Sequence, residues 1–365
     1  MSLKSLNSVQ RAAVEAVDGP VLIFAGAGSG KTRVLTHKLY YLVREGLFEP
    51  EDILAVTFTN KAAEEMRNRV TKLLNRKRLS LSIGTFHSIC ARILREDITT
   101  IGFSKNFAIY DVQDQLALIK VLINELDISK NILTPNQVRN QIGFCKNKMI
   151  TPDMQARRAR TIMEKNIVRI YSAYQKALKV NDALDFDDLL LYPLNIFKKK
   201  PTILKKYQKK WKYILVDEYQ DTNRPQFHFL TQLAEKHQNI CVVGDDDQSI
   251  YGWRGADIKN ILEFSDTFGD SRIIKLEQNY RSYGRILKAA NEVISNNPHV
   301  FEKSLWSDKI YGDEIKILAT DDDINEAERI ANELLAHKLR NGTQYSDYAI
   351  LYRGNHQSRF MEKAL

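Results

Sequence analysis

Two short runs hold the chemistry this chain is equipped to do. Residues 25–32 read AGAGSGKT, and residues 214–223 read ILVDEYQDTN. In the first run Gly26, Gly28 and Gly30 leave room for backbone N–H groups to wrap an anion, with Ala25, Ala27 and Ser29 completing the loop. A helix opening near Gly30 turns its positive end toward the same anion. Lys31 supplies a point charge for the β- and γ-phosphates of a nucleotide, and Thr32 a hydroxyl for Mg²⁺. The strict pattern G-x-x-x-x-G-K-[ST] begins with glycine, where this chain has Ala25. The other glycines and the strand–loop–helix context outweigh that departure.

In the second run an apolar strand ends in Asp217 and Glu218. Asp217 is suited to hold Mg²⁺, usually through water, and Glu218 to orient and deprotonate an attacking water. Alternation sends neighbouring strand residues to opposite faces, so both reach one site only where the chain leaves the pleat. An acidic strand end is common in α/β proteins and acquires meaning only from the phosphate cradle upstream. Together the two runs imply a nucleoside triphosphate, bound with Mg²⁺ and hydrolysed.

These groups need a scaffold. Strand-like runs fall at 21–25, 53–58, 81–86, 213–218, 239–244 and 271–277, with helical periodicity between them. That alternation predicts a parallel sheet covered by helices. The stretch 87–210 breaks the rhythm: it is charged, helical in period and without a convincing strand, so 89–196 reads as a helical insertion. Beyond 277 a new unit begins, with strands expected at 314–320 and 348–353. Between them Ile324, Ala327, Ile330, Ala331, Leu334 and Leu335 recur at helical spacing. The chain stops soon after the second of these runs, which suggests a fragment of a longer protein.

The chain has 365 residues, enough for two or more domains. Its formal net charge of +9 suits an anionic partner such as nucleic acid. Cys90, Cys145 and Cys241 are scattered without ligand spacing and read as reduced thiols in a cytoplasmic protein. There is no signal-like start and no apolar run of bilayer length, so no membrane partner is expected. Lys198–Lys200 and the lysines of 205–212 form a dense basic patch, read first as a solvated helix face.

Further runs carry a resemblance. LNSVQ stands at 6–10, VTFTNKAAEEMRNRV at 56–70, GTFHS at 84–88 and LDFDDLL at 184–190, followed by VVGDDDQSIYGWRGA at 242–256 and LEQNYRS at 276–282. This ordered set resembles the UvrD/Rep/PcrA group of superfamily 1 DNA helicases. NNPHVFEK at 296–303 and YAILYRGNHQSR at 348–359 are most similar to the Rep members of that group. The resemblance covers essentially the whole chain.

The resemblance implies an α/β fold: a RecA-like P-loop NTPase sheet with a helical insertion domain and the incomplete start of a second RecA-like domain. The implied division is 1–88 plus 197–276 for the first RecA-like domain, 89–196 for the insertion and 277–365 for the truncated second. It implies an ATP-dependent 3′→5′ helicase or translocase on single-stranded DNA and single-strand/duplex junctions, serving replication or repair. Gln10 would then bond the adenine edge, and Arg33 and Tyr280 would sandwich the ring. Gln248 would sense the γ-phosphate, and Arg281 would act as an arginine finger. Phe58, His87, Tyr251 and Trp253 would meet DNA bases, and Arg254 a backbone phosphate.

Other readings differ in class. One is a nucleotide-gated DNA-binding fragment that recruits replication or repair proteins, and another is a helicase–nuclease subunit. Asp185, Asp187 and Asp188 could suggest a nuclease metal cluster, but the family pattern places these acids at the junction of insertion and core. A small-molecule kinase is disfavoured, since no lid-like arginine cluster appears. His87 lacks the partners of a metal ligand.

Overall fold

The computed structural model describes residues 3–76, 80–129, 133–297 and 303–365; part of the 296–303 run lies outside them. The apolar runs form strands β1 (Pro20–Ala25), β2 (Ile53–Thr57), β3 (Ser82–Thr85), β6 (Tyr213–Val216), β7 (Ile240–Gly244) and β8 (Arg272–Leu276). They pair into one sheet in the order β3-β2-β6-β7-β1-β8, parallel at every junction. The expected parallel α/β sheet is therefore present.

The strands β1, β2, β6 and β7 are buried on both sides because helices cover both faces, as a parallel sheet requires, while the edge strand β8 leaves Arg272, Ile273 and Lys275 exposed. Leu22, Phe24, Leu54, Val56, Ile214, Val216 and Val242 point into one core. That core is closed by the helices Phe86–Asp97, Asp188–Lys199, Arg224–Ala234 and Lys259–Phe268. Val21, Ile23, Ala55, Leu215, Cys241 and Val243 point into the other, under Ser8–Glu15, Lys31–Arg44 and Asn60–Leu74.

The stretch between β3 and β6 has a separate core around Ile119, Ile142, Cys145, Ile170 and Tyr174, built by Val112–Glu125, Pro135–Asn147 and Ile162–Val180. One expectation fails here. Two short strands, β4 (Ala108–Tyr110) and β5 (Ala183–Asp185), pair in parallel across this insertion. Each has only three residues, too few to show a period of two. Their pairing also joins positions more than 70 residues apart, a separation that no local pattern records.

Residues 1–311 and 312–365 form two compact units, so 277–311 belongs with the first. In the second unit the predicted helix forms over Asp323–Asn341 and packs on Asn355–Ala364. The strands expected at 314–320 and 348–353 do not form. A strand is stabilised by a hydrogen-bonded neighbour, and these segments have no ladder partner among the described residues. Ile317 and Leu351 are consequently 91% and 93% exposed.

Candidate functional site

The strand order decides what meets at the sheet edge. β6, β7 and β1 are consecutive neighbours, so their carboxyl ends deliver Asp217, Asp245 and the phosphate loop side by side. β2 and β3 continue the same edge and deliver Phe58 and His87 beside them.

The loop after β1 turns through left-handed backbone at Gly28 (φ 70°) and Gly30 (φ 92°), where a β-carbon would be strained. A side chain at Gly28 would also collide with the segment after β8: its Cβ would lie 2.5 Å from Asn279 Nδ2 and 2.9 Å from Arg281 Cβ. Asn279 Nδ2 donates to Ala27 O at 2.6 Å, and Tyr280 N donates to Gly28 O at 3.0 Å. The backbone that carries Arg281 is thus moored to the phosphate loop.

Lys31 opens the helix behind the loop. Its ammonium is buried and makes no hydrogen bond among the described residues. The nearest charges are Glu218 Oε2 at 3.6 Å and Asp245 Oδ2 at 3.7 Å. Thr32 Oγ1 donates to Asp217 Oδ2 at 3.4 Å. A hydroxyl and a carboxylate in one place are the hard oxygen donors that Mg²⁺ takes. Burial, reinforced by the charge of Glu218, raises the Asp217 carboxyl to about 6. The two acids share the site because Glu218 adopts a left-handed conformation (φ 50°), which ends the pleat and swings its side chain round. Gln220 Nε2 steadies Glu218 Oε2 at 2.9 Å, while Gln220 Oε1 accepts from Asp245 N at 3.0 Å.

The expected base-binding residues lie next to this loop with their polar groups engaged. Gln10 is buried: its Nε2 donates to Ser29 O at 2.9 Å, and its Oε1 accepts from Asn7 N at 3.3 Å. Arg33 donates to Ser5 O at 2.8 Å. The Tyr280 hydroxyl accepts from Asn7 Nδ2 at 2.7 Å and donates to Gln278 Oε1 at 2.8 Å.

Gln248 Nε2 donates to Asp245 Oδ2. Asp245, Asp246 and Asp247 crowd close enough to suit a cation. The cation there is Lys303, whose ammonium is paired with all three.

A groove of about 740 Å³ crosses the ends of β2 and β3, lined by Phe58, His87, Arg139, Phe186 and Trp253 among others. Phe58 is half-buried rather than a core residue, and its ring lies 5.2 Å from Tyr251. Tyr251 lies 6.4 Å from Trp253, which is 75% exposed. His87 stacks on Phe186 at 3.9 Å, and burial lowers its imidazole to about 4, so it is neutral at physiological pH. The Arg254 side chain lies outside the described residues.

The acids flanking Phe186 have structural partners. Lys146, fully buried, bonds Asp185 at 2.6 Å and Asp188 at 2.8 Å. Asn147 bonds Asp187 at 3.3 Å and accepts from Asn223 at 2.7 Å, tying the insertion to the strand-end run that begins at Asp217. In the lysine patch, Lys206 pairs with Glu96 and Asp97, and Lys212 with Asp52.

Several residues escaped the sequence reading, Asp245, Gln220 and Arg139 among them. Phe186 was signalled only as an aromatic among acids in LDFDDLL, and Asn279 as the residue before Tyr280. Lys303 closes the NNPHVFEK run, but nothing in that run pointed to its acidic partners, which are more than fifty positions away.

Residues 6–269 match the UvrD/REP helicase N-terminal domain, and residues 274–365 the UvrD-like helicase C-terminal domain. The ATP-dependent DNA helicase PcrA of Bacillus subtilis is 47% identical over 363 residues, covering 100% of this chain and 49% of the relative. PcrA proteins of Staphylococcus epidermidis and Staphylococcus aureus are 46% identical over 361 residues, covering 99% of this chain and 49% of each relative. The chain thus spans about half the length of the relatives it matches.

Proposed function

The chain belongs to the UvrD/REP helicase family, and from that premise we propose that it is the nucleotide-hydrolysing, strand-gripping portion of an ATP-dependent DNA helicase. The observation that carries this reading is the Lys31 ammonium, buried without a hydrogen bond beside Thr32, Asp217 and Glu218. A buried cation lacking a hydrogen-bonded partner is costly, and a polyphosphate arriving in the glycine cradle supplies that partner.

In this reading Lys31 turns to the β/γ-phosphates, while the loop amides and the helix N-terminus hold the remaining oxygens. Thr32 and Asp217 would hold Mg²⁺, which neutralises charge on the phosphate oxygens. Glu218 accepts the proton of the attacking water, and Gln220 keeps its carboxylate aimed. Arg281 reaches the transferring group from its mooring on the phosphate loop. Arg33 and Tyr280 frame the adenine once Arg33 leaves Ser5, and Gln10 meets its edge.

Single-stranded DNA lies in the groove, its bases stacked on Phe58, His87, Tyr251, Trp253 and Phe186, with phosphates near Arg139 and Arg254. Gln248 and Trp253 belong to one short loop after β7, so a change at the γ-phosphate reaches the stacking surface through few bonds. Movement 3′→5′, a role in replication or repair, a cytoplasmic location and the three-part division at 88/89, 196/197 and 276/277 are further parts of the proposal. They rest on resemblance, together with the insertion's separate core. No helix among the described residues is long and apolar enough to cross a membrane.

The test compares K31A and E218Q in equilibrium binding of Mg-ATP and in single-turnover hydrolysis with oligo(dT) present. K31A loses nucleotide binding. E218Q retains binding while hydrolysis falls by about 10²–10⁴-fold. Undiminished hydrolysis in E218Q, or undiminished binding in K31A, refutes the assignment.

A further inference from the structure

Asp245 is a shared partner. One carboxylate oxygen accepts from Gln248 and faces Lys31 at 3.7 Å, while the other accepts from Lys303. Lys303 is nearly buried and also pairs with Asp246 and with Asp247, the latter at 2.9 Å. It enters from the segment after β8, some sixty residues beyond its acidic partners.

We propose that Lys303 is a positioning residue for the phosphate site: it holds and neutralises Asp245 so that Lys31 can leave that carboxylate for the nucleotide. The inference rests on the nucleotide reading above and deepens it. Asp245 faces Lys31 as well as Lys303, so it draws on both ammonium groups. Binding a polyphosphate requires Lys31 to give up Asp245. With Lys303 in place, Asp245 keeps a buried cationic partner after that exchange. Without it, the phosphate must strip Lys31 from a buried carboxylate that has no other cation among the described residues. The negative field of Asp245 would also oppose the incoming polyanion. The same ammonium fills the gap among Asp245, Asp246 and Asp247, so this acidic cluster already holds a cation from within the chain.

The test measures Mg-ATP affinity by calorimetry for the wild type, K303M, K303R and D247N, with thermal unfolding of each as a control. K303M weakens binding by about tenfold or more, and K303R, which restores the charge, returns it to within about threefold of wild type. D247N keeps Lys303 and removes one competing carboxylate, so affinity rises by about threefold. Should K303M fail to fold, D247N decides: unchanged or weaker binding overturns the proposal. A folded K303M with wild-type affinity overturns it too, as does a K303M defect that K303R leaves unrepaired. A wild-type chain that binds no Mg-ATP instead defeats the nucleotide reading on which this inference stands.

Discussion

Truncating Phe186 to alanine separates the proposed DNA groove from the proposed nucleotide site. Phe186 is 53% exposed and stacks on His87 at 3.9 Å, so its ring is offered to the groove more than to the core. A fully buried Phe→Ala change costs about 3–5 kcal/mol. With roughly half the side chain already in water, the cost here is about 1–2 kcal/mol, which leaves a domain of this size folded. Loss of one base-stacking ring costs about 1–3 kcal/mol of binding, or about 5- to 150-fold in affinity for oligo(dT). Fluorescence anisotropy at fixed salt reads that loss. Mg-ATP affinity, set at the ends of β6, β7 and β1, stays within about twofold of wild type. The imidazole supplies a second readout. Burial is what lowers His87 to about 4, so uncovering the ring moves its titration up toward its ordinary 6.5. Unchanged oligo(dT) affinity together with an unmoved His87 titration would refute this account of the groove.

Stability should depend on pH through the same histidine. His87 titrates at about 4 when folded against 6.5 ordinarily, so the unfolded chain binds the extra proton between those values. Its contribution is complete above pH 6.5 and is lost as pH falls toward 4, by at most about 3 kcal/mol. H87Q therefore shows a shallower fall than wild type in urea titrations across that range, and equal slopes would count against the burial of the ring. Lys146 is closed off from solvent between Asp185 and Asp188, so K146M strands two buried acids. The expected loss is about 3–5 kcal/mol in urea unfolding; a loss below about 1 kcal/mol would contradict the buried network.

Local rules made the main sheet and the phosphate site legible before any fold was known. Apolar runs of five or six residues must be buried on both faces, which implies a covered parallel sheet. Gly28 and Gly30 mark left-handed backbone, and Lys31, Thr32, Asp217 and Glu218 follow at fixed offsets from strand ends. Where a segment depends on a distant partner, the same reading failed. The three-residue strands β4 and β5 exist only because they find each other, and the runs at 314–320 and 348–353 stayed unpaired despite a strand-like pattern.

Tertiary structure alone decided which charges share a site. The order β6-β7-β1 sets Asp245 between the phosphate loop and Asp217, and it brings Lys303 to Asp245 across more than fifty residues of chain. It also sets Phe186 of the insertion against His87 of the core. Chemical identity and short spacing are written in consecutive residues, because backbone geometry over a turn or a strand is local. Electrostatic balance and ring stacking depend on distances across the sheet edge, and those exist only once the strands have chosen their neighbours.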